Sequence, residues 1–423
     1  MLPIAYAAYL VFVFAVPWET VIVLPGMAIV TRLTGAIAAL LALMAVVVHG
    51  RARRPQPFHI WAALFVVWVA CNLMFFNNMW TKLPNKFLTF VQLLIVLWIA
   101  WEVAPSRKHT LGVMTAYIMG AYIAALDTIL VYRREAGVLR RFAAGDADPN
   151  DLAMTLALAL PMAWYLGTTY QRPVLRWMCR LYIPVALLAI GLTGSRGGMV
   201  ASMVGLSIIP LTLSKVSANN RAIALVLILL SGVVAVKYVP TTLIQRFAST
   251  TSEVEDARLG GRFKLWVAGV KAFTYRPVVG YGPVSFKRAI DPFLYQESQV
   301  AHNSYLSVLV EEGLVGFFLF MMMIVATFFS AMKLRGGDRR FALVLLATMM
   351  ITMLPLTWED RKQAWVVMAM LVGMAQSRML ARPVYRQPIP RPRNLAAAGP
   401  IGPGRAARTM GGPIRRPPRD LGT

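Results

Sequence analysis

The sequence is poor in charge and poorer still in acid: 14% of its 423 residues are Asp, Glu, Lys or Arg, and only 18 are acidic. Too few polar side chains remain to solvate the surfaces of two or three water-soluble domains. Cysteine is nearly absent, and Cys71 and Cys179 alone exclude a disulfide scaffold or a thiolate metal cluster. No HExxH, CxxC, Walker loop or strand-led GxGxxG occurs, which removes the metalloprotease, nucleotide and dinucleotide classes. Gly194-Ser195-Arg196-Gly197-Gly198 is not the GxSxG elbow of a serine hydrolase. What is plentiful is apolar surface, with 58% hydrophobic residues and a mean hydropathy of +0.61. Such a chain belongs in a bilayer.

Hydropathy gives about twelve apolar stretches near the length that crosses a hydrocarbon core. They fall at 3–17, 33–49, 58–76, 87–104, 111–132, 152–169, 180–193, 197–213, 222–238, 304–332, 341–357 and 363–380. Residues 20–30 are also apolar and could extend the first pair. The first stretch lacks a basic n-region and a small-residue cleavage site, so it reads as a retained span. The expected organisation is nine transmembrane helices over 1–238, a large loop over 239–303, three more helices over 304–380 and a basic tail over 381–423. The fold class is an all-α polytopic membrane protein. With nine prolines and nine arginines in 43 residues, the tail is expected to be disordered.

A net charge of +25 invites a nucleic-acid reading, but the charge is unevenly placed. Alternate loops and the C-terminal end hold 24 lysines and arginines against only Asp338 and Asp420. By the positive-inside rule that set is cytoplasmic, with both termini on that side. Most of the charge is then an orientation signal that also attracts anionic membrane lipids, and nucleic acid is not an expected partner.

Three outward segments are too polar or too long to be simple turns: 133–151, the hairpin around Arg196, and 239–303. Within the last, Arg258 to Tyr275 reads as an amphipathic helix with Phe263, Trp266, Val267 and Val270 on its apolar face. Arg276-Pro277-Val278-Val279-Gly280-Tyr281-Gly282-Pro283 follows, where glycine and proline forbid a continuous helix. Backbone that irregular at membrane depth must be buried in protein or line a cavity.

Of the four histidines only His302 falls on the outer side. Near neutral pH an imidazole accepts a proton from an attacking alcohol. Permanently charged guanidinium groups suit phosphate oxygens. Arg196, Arg262 and either Arg258 or Arg276 beside one imidazole would therefore hold a lipid diphosphate and activate a hydroxyl, without a metal or other cofactor. Duller explanations exist. Boundary arginines snorkel to headgroups, Arg196 suits a tight glycine turn, and His302 suits a backbone-bonded residue ahead of a helix. Glu311 and Glu312 border a turn at Gly313, although a buried carboxylate in a span is functional by default. Arg133, Arg134, Arg140 and Arg141 balance Asp146, Asp148 and Asp151 as a solvated loop would.

Several motifs together resemble the bacterial O-antigen ligase family. They are Asp148-Pro149-Asn150, Gly194-Ser195-Arg196-Gly197-Gly198, Gly261-Arg262 with Trp266, Gly280-Tyr281-Gly282, and His302-Asn303 followed by Glu311, Gly313 and Gly316. The resemblance implies a polytopic enzyme of the bacterial inner membrane with its active site in the periplasmic loop. It also implies an undecaprenyl-diphosphate-linked glycan donor, a lipid A-core acceptor and inverting transfer without a metal. Carried over by position, His302 is the base and Arg196 and Arg262 are the diphosphate ligands. Arg258, Arg276, Tyr281, Asn303 and Glu311 complete the substrate-binding set. The basic cluster Arg133, Arg134, Arg140 and Arg141 has no family role; contact with the phosphorylated core of an acceptor is one reading of it.

Two readings share this chemistry, a polymerase that extends the glycan and a ligase acting on protein serine or threonine. The rival class is a transporter or lipid flippase, since about twelve spans suit many of them. No repeat relates the two halves, and the basic residues of interest sit at the outer edge.

Overall fold

The computed structural model describes residues 1–19, 30–75, 83–135, 141–145, 147–243, 262–294 and 300–380. Arg258, Arg140, Asp146 and the tail 381–423 lie outside these residues. The secondary structure is helical among the described residues: α1 (Leu2–Ala15), α2 (Val30–His49), α3 (Pro57–Phe75), α4 (Leu83–Val103) and α5 (Arg107–Arg134) are followed by α6 (Pro149–Thr169) and α7 (Pro173–Thr193). Then come α8 (Arg196–Leu206), α9 (Ile208–Leu213), α10 (Ala218–Tyr238), α11 (Arg262–Tyr275), α12 (Phe286–Ile290), α13 (Ser304–Met332), α14 (Gly336–Thr352) and α15 (Lys362–Leu380). The twelve apolar stretches overlap helices, with 197–213 divided between α8 and α9 and 341–357 running past the end of α14 at Thr352. Eight of them, with α8 and α9 counted together, are long and apolar enough to cross a membrane. Large apolar side chains such as Leu40 and Val47 on α2 and Leu225 and Val233 on α10 face outward, a surface suited to lipid.

Helix α6 is the axis of the bundle. Asp148 caps it by accepting from the N–H groups of Asn150 and Asp151, Pro149 starts it, and Leu152 through Gly167 are all buried. Its Ala-Leu-Met composition carries almost no polar group that burial would penalise, so α5, α7, α8 and α14 can all pack on it. At the far end of α7, Gly194 adopts φ 58° as a left-handed C-cap. Ser195 then caps α8 by accepting from Gly198 N–H, which fixes the tight hairpin read from the sequence.

The longest helix, α13, is broken. Gly313 sits at φ 66°, ψ −169°, a region open essentially to glycine alone. Backbone groups at the break find partners outside the helix. Leu314 and Val315 N–H donate to the Pro277 and Val278 carbonyls, while Val310 and Glu311 O accept from Tyr281 and Gly282 N–H. The Glu312 carbonyl accepts from Trp68 Nε1 on α3 at 3.0 Å. Asn72 Nδ2, one turn further along α3, donates to Val279 O at 2.9 Å. The irregular segment 276–282 is thus hydrogen-bonded along its backbone to a broken helix, with Arg276, Val278 and Val279 exposed, and a Cβ on Gly280 or Gly313 would overlap the opposing backbone.

Helix α11 presents two apolar faces. Leu265, Ala268, Gly269 and Ala272 are buried against α12 and α13, while Phe263, Val267 and Val270 are exposed. Of the face read from the sequence, Phe263, Val267 and Val270 are turned away from the protein, whereas Trp266 packs against the buried cluster. The packed face is made of small residues because Gly269 lies directly against Leu306 and Phe286.

Candidate functional site

His302 occupies the short approach to α13 with φ 45°, a left-handed conformation that histidine adopts more readily than most residues but still rarely. The backbone around it is tied down on three sides. Trp266 Nε1 on α11 donates to Ala301 O at 3.1 Å, and Asn303 Oδ1 caps α13 by accepting from Leu306 N–H. Ser304 Oγ donates to Leu356 O at 2.8 Å and accepts from Trp358 N–H at 2.7 Å. The ring is half-buried, and its pKa is lowered from the ordinary histidine value, first by burial and then by the Arg262 guanidinium, with Asp148 and Asp151 opposing. Arg262, the first residue of α11, and the two carboxylates that open α6 are therefore in electrostatic reach of one imidazole.

Arg196 is the first residue of α8, and its hairpin is anchored to the same end of α6. Asn150 Oδ1 accepts from Ser195 Oγ at 3.0 Å and from Arg141 NH2 at 2.7 Å. Arg141 Nε also donates to Thr193 O at 2.8 Å, just before the hairpin. Gly197 packs on Met154 and Pro355, and Gly198 on Ala153. The turn 353–361, between α14 and α15, thus touches the hairpin with Pro355 and holds Ser304 with Leu356 and Trp358. It also reaches α6: Trp358 Nε1 donates to Asp151 Oδ1 and Arg361 pairs with Asp151 Oδ2, both at 2.9 Å. Burial works against the charge of Arg361, but Asp151, Asp360, Glu19 and Glu359 more than offset it, so its pKa is raised.

Arg276, Tyr281 and Glu311 lie elsewhere. Arg276 stacks its guanidinium over the Tyr281 ring at 5.1 Å, and both belong to the loop paired with the break in α13. Glu311 holds that loop together. One of its oxygens accepts from Lys86 Nζ at 2.7 Å and from Val284 N–H at 3.0 Å, and the other from Phe286 N–H at 3.2 Å. Asn303 serves as a helix cap. Of the basic cluster, Arg133 and Arg134 end α5, while Arg141 is bound to the hairpin.

Sequence reasoning missed Asp151 as a partner, and with it Trp358, Arg361 and Lys86. A signal for the first group existed: Trp358-Glu359-Asp360-Arg361-Lys362 is a dense charged run between two apolar stretches. Among the described residues no group of three His, Cys, Asp or Glu side chains is arranged to hold a metal ion.

The apolar helices define a multi-pass membrane protein. The family described as O-antigen ligase matches residues 181–321 of this chain. The resemblance read from the motifs is borne out there. An uncharacterised protein of Haemophilus influenzae is 22% identical over 283 residues, which cover 59% of this chain and 65% of that protein. The exopolysaccharide production protein ExoQ of Rhizobium meliloti is 33% identical over 97 residues, 20% of this chain and 22% of that protein. The matches thus span less than two thirds of either relative's length.

Proposed function

We propose that this protein is an O-antigen ligase of the bacterial inner membrane. It takes a glycan from undecaprenyl diphosphate and joins it to a hydroxyl of the lipid A-core at the periplasmic face. The observation that carries this reading is the imidazole of His302, held in a rare backbone conformation within electrostatic reach of Arg262, Asp148 and Asp151. In the step proposed, the acceptor oxygen attacks the anomeric carbon and its proton passes to His302. The bond from that carbon to the diphosphate breaks with its electron pair, and Arg196 and Arg262 neutralise the charge that develops on the leaving group. Attack opposite the leaving group inverts the anomeric centre. Arg262 has a second effect, because its charge favours the neutral imidazole and so keeps the base ready to accept.

The likeness to a protein named for exopolysaccharide production supports a second reading with the same chemistry, a polymerase that extends the glycan. A lipopolysaccharide gel of a strain lacking the gene separates the two. Long chains retained on the carrier but absent from lipid A mark the ligase; single repeats on lipid A mark the polymerase. Unchanged lipopolysaccharide and carrier-linked glycan would remove both.

A further inference from the structure

The first two turns of α5 and the start of α7 line a cavity of about 630 Å³, together with Tyr6 of α1 and Tyr170, the residue that closes α6. Leu111 and Leu175 give it an apolar wall. Both tyrosine hydroxyls are already engaged. Tyr6 Oη donates to His109 O at 2.8 Å, and Tyr170 Oη lies 2.6 Å from Thr115 Oγ1. These bonds tie α1 and the end of α6 to α5 and hold the space open. None of these residues belongs to the site around His302.

The charge of the lining is of one sign. Lys108 and Arg172 are both exposed, and no carboxylate lines the cavity with them. Among the described residues neither is paired with a carboxylate, although nearby cations do find partners in the protein. Arg107 lies 3.6 Å from Asp338 Oδ1 and donates to Tyr165 Oη at 2.9 Å, and Arg180 donates to Gly167 O at 3.0 Å. Two cations that share an opening repel each other, and an anion between them offsets that repulsion.

The apolar wall decides which anion fits. Helices α5 and α7 are both long and apolar enough to cross a membrane, and the cavity lies at their starts. The loops 105–110 and 170–180 belong to the basic set that the charge bias assigns to the cytoplasm, where the leaflet carries anionic lipid. A free phosphate would meet the two cations and leave Leu111 and Leu175 in water. A phospholipid would meet the cations with its headgroup and cover the leucines with a chain.

We propose that this cavity seats one anionic phospholipid of the cytoplasmic leaflet, with its phosphate between Lys108 and Arg172 and the upper part of an acyl chain along Leu111 and Leu175. The site is separate from the glycosyl-transfer centre and stands whether or not that reading holds.

The test uses the full chain, purified and delipidated in detergent, with lipid binding measured by native mass spectrometry. Phosphatidylglycerol should bind at least about tenfold more tightly than phosphatidylethanolamine, which carries a phosphate but no net charge. Lys108→Gln combined with Arg172→Gln should bring the two lipids within about twofold of each other and leave the lipid-free melting midpoint unchanged. Lys333→Gln combined with Arg335→Gln removes the same charge from exposed positions of another basic loop and should keep the preference. Leu175→Trp, which fills the apolar wall without altering charge, should weaken phosphatidylglycerol binding about tenfold. Equal binding of the two lipids overturns the inference. So does a preference that survives the Lys108 and Arg172 substitutions or is lost equally with those at Lys333 and Arg335. Phosphatidylglycerol binding untouched by Leu175→Trp, or glycerol phosphate bound as tightly as the lipid, overturns the lipid as occupant.

Discussion

Two clusters of charge, built from similar residue types, do opposite things in this protein. Around Lys86, the carboxylates of Glu311 and Glu359 close in at 2.7 and 3.1 Å, and the three side chains are 13%, 6% and 1% exposed. Ser307 Oγ and the indole of Trp365 add bonds to Glu359. Around His302 the groups are partly exposed and come from loops and helix starts, and Asp148, Asp151 and Arg361 line a cavity. Where ionic groups are sealed from water, each needs its partner to stay folded; where they remain partly wet, their charge is available to a substrate. The first cluster holds the loop at the break in α13, and the second holds the groups that would do chemistry.

That contrast can be broken at either end. Gly313→Ala should have the largest effect, because its φ and ψ suit glycine alone and the new methyl would overlap Val278 O. The expected outcome is loss of the folded protein from membranes, measured by accumulation and monodispersity in detergent. Lys86→Met should follow at about 3–5 kcal/mol, since it strands two buried carboxylates, and a thermal unfolding midpoint in detergent would register it. An unchanged midpoint would mean that the cluster is not the anchor argued here.

On the open side the order of effects reverses, with activity moving more than stability. His302→Ala should lower transfer by about 10²–10⁴ with an unaltered melting midpoint, in line with the loss of a positioned general base. Asn150→Ala should cost about 1–3 kcal/mol of stability by depriving Ser195 Oγ and Arg141 of their shared acceptor, and a matching loss of transfer would show that the hairpin positions Arg196.

The smallest effect sharpens the comparison most. The His302 pKa lies below the ordinary value, so the neutral base persists to lower pH and activity falls only as pH drops through that lowered value. Arg262→Gln removes a cation and should move this acid limb to higher pH. Asp151→Asn removes an opposing anion and should move it lower. A pH–rate profile that ignores both substitutions would mean that the titrating group is not His302.

Much of this was legible from the sequence. The hairpin at Gly194 to Gly198, the non-helical segment 276–283 and the isolation of His302 all follow from local rules about glycine, proline and hydropathy. The buried face of α11 was not legible, because Leu265, Ala268, Gly269 and Ala272 are no more apolar than the outward Phe263, Val267 and Val270. Hydropathy cannot separate a face that meets protein from one that meets lipid, and only the close approach of Leu306 and Phe286 to Gly269 distinguishes them. Glu311 illustrates the same limit: its position in a span signals importance, but its three donors come from α4 and from the turn into α12.

By itself, then, the chain determined the membrane-spanning character, the sites where helices must stop and the one imidazole outside the basic loops. Each of these depends on the composition of a short window and on backbone freedom within it. The tertiary structure alone decided that Asp151 meets Trp358 and Arg361, that Lys86 answers Glu311, and that His302 lies within electrostatic reach of Arg262, Asp148 and Asp151. Partners more than two hundred residues apart leave no local trace, because their pairing is fixed by how helices pack and not by any stretch of sequence.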